Sequence, residues 1–219
     1  MTARLSVTQM VMAFVLSLGL AGCQTSGRVP AAAISPQTGL DAKADERAHG
    51  LYLSVIGQLI ENEMYHAALA HLDEFEHRYG MTATSHRLRG DAWLALGAFD
   101  DAEREYETIA QGPLAGFGSH GLGRVAAARE NWTLASIYFE RAARVQPTNI
   151  GFLNDFGCAL YRLGRFDDAK FQLEKAAELS PSDLEVSVNL KTVLALAERR
   201  DMPTQSAGNS EAAQSEDAP

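Results

Sequence analysis

Phe166-Asp167-Asp168-Ala169-Lys170-Phe171-Gln172-Leu173-Glu174-Lys175-Ala176-Ala177 sets its apolar side chains three and four residues apart. That spacing puts them on one stripe of an α-helix. Gly164 stands two residues upstream, where it ends a preceding helix, and an aromatic opens the next. Ala169 and Ala176 are small because a second helix must approach closely there. The stretch therefore reads as the second rod of a helix hairpin.

The same arrangement recurs upstream. With Ile150–Asp183 laid under Gly116–Asn149, Phe156-Gly157 falls under Leu122-Gly123 and Phe166 under Trp132. Ala169 falls under Ala135, Leu173 under Phe139, Ala176 under Ala142, and Pro181 under Pro147. The period is about 34 residues, the length of one two-helix repeat. Gly90, Trp93, Gly97, Phe99, Ala102, Tyr106 and Pro113 fit the frame one unit earlier, with a one-residue slip near the end. Gly57, Tyr65, Ala68 and Leu72 fit it more loosely one unit before that. Pro147 and Pro181 stop the second helix of their units. Ser182-Asp183-Leu184-Glu185 reads as a capping box. It opens a last helix, Leu184 to about Arg199, with Val186, Leu190, Val193, Leu194 and Ala197 along one side to cover the final repeat. A helix from near Asp41 to Asn62 opens the array.

These recurring positions resemble the tetratricopeptide repeat family. The resemblance implies an all-α fold, a right-handed solenoid of helix hairpins with a C-terminal capping helix and about nine helices in all. Repeats are expected at about 49–82, 83–115, 116–149 and 150–183, with the cap at 184–199, inside a domain spanning 41–200. The first helix of each pair would line a concave groove.

The N-terminus carries a different signal. Arg4 and the terminal amine precede an apolar run from Val7 to Leu20, and Leu20-Ala21-Gly22-Cys23 follows. A charged start, a short apolar run and small residues before a cleavage point describe a secretory signal, residues 1–22. The run is shorter than the ~18 apolar residues needed to cross a bilayer as a helix. The four-residue ending resembles a bacterial lipobox, which implies that Cys23 is acylated and anchors the chain to a membrane. Gln24 at the following position leans, by the same resemblance, towards the outer membrane, with the domain facing the periplasm. Residues 23–40, with Pro30 and Pro36, read as a lipidated cysteine and an extended tether. Residues 201–219 hold four acids and no basic residue, the composition of a disordered acidic tail. With Cys23 acylated, Cys158 has no partner for an intrachain disulfide.

Charge narrows the function. The chain of 219 residues carries a formal charge of −9. An acidic domain repels phosphate backbones, so nucleic acid is not an expected partner. Gly116-Phe117-Gly118-Ser119-His120-Gly121 matches a dinucleotide-binding spacing but lacks the strand and βαβ unit that chemistry needs. His66, His71 and His77 fall on different helix faces, and no cysteine pair or H-E-x-x-H is present. Asp100-Asp101 and Asp167-Asp168 occupy one repeat position near a helix start, where the helix dipole favours carboxylates. Cys158 has no histidine placed to activate it and reads as a packed residue. No catalytic residue, metal ligand, cofactor or small-molecule substrate is expected, and the chain reads as a non-enzyme.

What remains is a surface. The first helices project Arg87, Asp91 and Leu94, then Phe117, His120 and Arg124, then Asn154, Tyr161 and Arg162, with Asn189 in the cap. Aromatic and basic side chains collected on an acidic protein suit a protein-binding groove. The lysine and asparagine pattern by which some tetratricopeptide proteins clamp a C-terminal carboxylate is not matched, because Asp155 stands where its asparagine is expected. Lipobox, proline-containing tether, four repeats and the stretch Asn154–Arg165 together resemble the TadD lipoproteins of the tight-adherence (Flp) pilus system. That resemblance implies a pilotin-like accessory factor whose partner is the secretin or another pilus-assembly component. The alternative is a lipoprotein scaffold that recruits peptidoglycan hydrolases or synthases in the periplasm.

Overall fold

The structure is a computed structural model that describes residues 38–201, with side chains over residues 43–199. The expected signal, the acylated Cys23, the tether up to residue 37 and the tail beyond residue 201 lie outside the described residues. Among the described residues, those from Lys43 onward form one compact unit.

Among the described residues there are nine helices and no strand. They are α1 (Thr38–Glu61), α2 (Tyr65–Tyr79), α3 (Ala83–Ala95), α4 (Phe99–Ile109), α5 (Ala115–Ala128), α6 (Trp132–Val145), α7 (Ile150–Arg162), α8 (Phe166–Leu179) and α9 (Leu184–Asp201). Each packs chiefly on its neighbours in sequence, and α3 also meets α5 and α7 meets α9. Every hairpin is thus a helix pair, and the first helices of successive pairs lie side by side.

One turn closes all four hairpins. Glu63, Gly97, Glu130 and Gly164 each stand two residues before the aromatic that opens α2, α4, α6 or α8, and each has a left-handed φ of 59–76°. The amide after each of them reaches back five residues into the preceding helix, as in Asn131 N–H to Ala126 C=O at 2.9 Å and Arg165 N–H to Leu160 C=O at 2.9 Å. This pairing satisfies carbonyls that a helix end leaves open. A glycine suits the seat, yet two repeats fill it with glutamate at a cost of about 1–2 kcal/mol each.

The start of α9 differs from the expected capping box. Asp183 is the cap, accepting from the Val186 amide at 3.1 Å. Glu185 does not reach back to the cap but accepts a hydrogen bond from Asn154 of α7. A reciprocal cap does form at Thr82, where Ser85 N–H donates to the threonine hydroxyl and Thr82 N–H donates to the serine hydroxyl. Asn149 caps α7 through the Phe152 amide.

Buried side chains fall into three groups along the array. Ile56, Ala68, Leu72, Phe75 and Ala92 form the first. Ala102, Tyr106, Ile109 and Val125 form the second. Ala135, Phe139, Leu153, Leu160, Ala169, Leu173, Ala176, Val186 and Val193 form the third. Ala169 and Ala176 are fully buried, as their size requires, and the α9 stripe of Val186 and Val193 covers the last repeat.

Candidate functional site

Tyr106 builds the floor of the groove. Its ring leaves α4 and passes between α3 and α5, where a Cβ on Gly90 or Gly121 would stand 2.8 or 2.3 Å from ring carbons. Two glycines therefore open the path, which is the role of Gly121 within the dinucleotide-like spacing. Gly118 is held against the Ala110 backbone and Gly123 against the Phe139 ring in the same way. The motif is a helix-packing surface inside α5.

The phenol emerges at Asp91 and donates to its Oδ1 at 2.8 Å. Arg124 donates to the same oxygen at 2.7 Å, and Arg87 donates to Oδ2 at 3.0 Å. Three donors from α3, α4 and α5 thus converge on one half-buried carboxylate. Burial pushes the Tyr106 phenol well above its usual range, and the Asp91 charge adds to that; Arg124 and Arg87 pull the other way. Burial alone would lower the Arg124 guanidinium, but Tyr106, Asp91 and Asp155 more than offset it and the cation is held firmly.

Two cavities open on either side of Arg124. One, of about 230 Å³, is walled by Arg87, Asp91, Phe117, His120, Arg124 and Phe152. His120 stacks on Phe152 with centroids 4.5 Å apart and bonds Asp155 through Nε2 at 2.8 Å. Arg87 lies over the Phe117 ring at 5.6 Å. The other cavity, of about 400 Å³, is walled by Leu94, Arg124, Ala127, Ala128, Trp132, Phe139, Asp155 and Cys158.

The structure therefore gathers Arg87, Asp91, Phe117, His120 and Arg124 into one place. Asn154 lies elsewhere: it is buried, donating to Glu185 at 3.0 Å and accepting from Asn189 at 2.9 Å, and so straps α7 to α9. Tyr161 and Asn189 border a small separate cavity of about 50 Å³. Arg162 lies over the Trp132 ring at 5.0 Å on the exposed edge. Tyr106, Phe152, Asp155 and Trp132 belong to the site without having been singled out from the sequence as groove residues. The two glycines flanking the Tyr106 ring, at positions with no turn to explain them, are the signal that could have found the first of these. The three histidines of α2 are exposed, and His71 bonds the Tyr52 hydroxyl at 3.3 Å.

Cys158 borders both the large and the small cavity. Burial pushes its thiol from an ordinary 9.0 up to about 11, with Asp155 and Glu185 adding to the shift. The thiolate is the reactive form. Alkylation at pH 8 is expected to run about a hundredfold slower than for the unfolded chain, measured by maleimide labelling in the presence and absence of denaturant. An equal rate in both would contradict the burial.

Comparison with known proteins agrees with this architecture. Models of the tetratricopeptide repeat match residues 59–117 and 151–183. A TPR repeat-containing protein of Pseudomonas aeruginosa is 30% identical over 148 residues, covering 67% of this chain and 58% of that protein. The match thus spans less than two thirds of the relative's length. A thermophilic TPR protein of Thermus thermophilus superimposes with a TM-score of 0.61 at 20% identity, over 70% of this chain and 84% of that one. MamA from Desulfovibrio magneticus RS-1 does so with a TM-score of 0.51 at 16% identity, over 70% and 97%. YrrB, a TPR protein with an unusual peptide-binding site, gives a TM-score of 0.50 at 22% identity, over 68% and 78%. Hairpin turn, repeat period, buried alanines and capping helix all converge with these matches: residues 59–117 and 151–183 carry tetratricopeptide repeats, and the described residues have the all-α fold of tetratricopeptide-repeat proteins.

Proposed function

We propose that the chain is a non-enzymatic, lipid-anchored accessory factor that holds a segment of a pilus-assembly protein, the secretin foremost, in the groove of α3, α5 and α7. The observation that carries the binding role is the pair of cavities flanking Arg124, which offers aromatic walls and charged donors at one accessible face. Repeat proteins of this fold act through such surfaces. The pilus assignment is supported by the sequence resemblance to TadD lipoproteins, the lipid anchor by the lipobox ending in Cys23, and the outer-membrane location by Gln24 after it. Acylation would carry the bound partner to the membrane, since several acyl chains anchor stably where one holds only marginally.

Deleting the gene is expected to lower the rate at which secretin multimers form, read by the fraction resistant to dissociation in detergent. Cys23→Ala is expected to reproduce that loss with the protein still folded. Normal multimers in the deletion strain would remove the pilus role. Co-purification with cell-wall hydrolases or synthases, and not with pilus proteins, would replace it with the scaffold reading.

A further inference from the structure

We propose that copies of this chain stack head to tail, with α9 of one copy against the open face of α1 in the next, so that Val188 of the first meets Leu51 and Val55 of the second. The stacking does not depend on the groove or on the partner proposed for it.

Contacts inside the chain supply the template. In α3, α5 and α7 the residue three positions before the repeat glycine (Gly90, Gly123 or Gly157) reaches forward onto the next first helix. Arg87 lies over the Phe117 ring of α5 at 5.6 Å. His120 stacks on Phe152 of α7 and bonds Asp155 of the same helix at 2.8 Å. Asn154 donates to Glu185 of α9 at 3.0 Å and accepts from Asn189 at 2.9 Å. The receiving positions recur as well. Phe117 and Glu185 stand six residues before the repeat position of their own helix, and Asp155 and Asn189 stand two before it, with Lys191 at that position in α9 because it follows Gly157 by one repeat. Each junction is matched in kind. A cation meets a ring, an imidazole meets a ring and a carboxylate, and an amide meets a carboxylate and a second amide.

The two ends of the array hold the unmatched halves of this contact. Val188 occupies the forward position of α9, and no described helix follows it; it is 52% exposed. Leu51 and Val55 stand six and two residues before Gly57, at the receiving positions of α1, and no described helix precedes them; they are 70% and 53% exposed. An apolar side chain is thus offered at one end and two apolar seats at the other, matched in kind like every internal junction. On its other side α1 buries Leu53 and Ile56, so it is apolar on both faces, the pattern of a covered helix. The outer faces of terminal repeats are ordinarily polar. Offering and receiving surfaces differ, so the contact is heterologous, and each added copy leaves one of each surface open for the next. A single helix face on another lies at the small end of specific interfaces, below about 1,200 Å², so the association depends on local concentration.

The test uses the full chain in its own envelope, with Cys158→Ala, a mild thiol oxidant and non-reducing gels, the joined residues being assigned by mass spectrometry. Val55→Cys with Val188→Cys in one chain should give a ladder of dimers, trimers and higher multimers joined 55 to 188. Chains with Val55→Cys alone, produced together with chains with Val188→Cys alone, should stop at the dimer. Neither single variant by itself should join 55 to 55 or 188 to 188. Adding Leu51→Lys, at an exposed position outside the core, to the double-cysteine chain should lower the multimer about tenfold, because the contact would bury a charge. Monomer from every variant would overturn the proposal. Dimers joined 55 to 55 or 188 to 188 would put a symmetric pair in its place. An adduct of residue 55 with another envelope protein, without the ladder, would make that protein the occupant and overturn the stacking. A ladder that Leu51→Lys leaves unchanged would come from chance collision and would overturn it too.

Discussion

Phe139→Ala is expected to cost about 3–5 kcal/mol, the range for truncating a fully buried aromatic. The ring is only 3% exposed and sits in the third core group, between α5 and α7. Its position is so tightly fixed that a Cβ on Gly123 would lie 2.5 Å from it, and it touches the His120 ring at 5.4 Å. Truncation leaves a cavity that the helix pair cannot collapse into without moving both repeats. In a domain of this length each kcal/mol shifts Tm by about 2–4 °C, so a drop of about 6–20 °C is expected. The loss should be local. Solenoid stability is a sum of repeat and interface contributions, and Phe139 lies in a different core group from Leu72 and Phe75. Hydrogen exchange should therefore accelerate in α5–α8 and stay slow in α2. Uniform acceleration along the array would show a single cooperative unit instead.

The variant also separates what was legible from what was not. The repeat frame was visible because Ala135, Phe139 and Ala142 face one way at helical spacing, and packing faces are written in periodicity. Gly164 was visible as a helix stop, and Gly97 as a residue of the repeat frame. Glu63 and Glu130, at the same seat, were not, because nothing in a glutamate announces a left-handed φ. The seat is imposed by the backbone bonds of the turn and by the aromatic two residues on. Groove membership was legible only in part. Arg87, Asp91, Phe117, His120 and Arg124 are brought together as their places on the first helices imply. Asn154 instead turns its amide to Glu185 and Asn189, contacts between positions 31 and 35 residues apart that no local pattern reveals. The Ser182 cap failed for a related reason. Asp183 sits one residue nearer the helix and is the better acceptor, which frees Glu185 for Asn154.

Tyr106 separates fold from site more sharply. Tyr106→Ala is expected to cost about 3–5 kcal/mol, since the ring is buried to 1% exposure and fills the passage between Gly90 and Gly121. Tyr106→Phe keeps the ring and removes only a hydrogen bond to a charged group, for a cost of about 1.5–3 kcal/mol. The two variants also differ in alkaline solution. The folded phenol ionises above its ordinary 10.0, so the folded state keeps a proton that the unfolded state gives up as pH rises past that value. Stability from this source is complete below pH 10 and falls above it. Denaturant titrations at pH 9 and at pH 11 should show the wild type losing stability between them. Cys158 contributes to the same decline, since its folded thiol is raised from 9.0 to about 11. Tyr106→Phe should lose part of the pH dependence and Tyr106→Phe with Cys158→Ala nearly all of it.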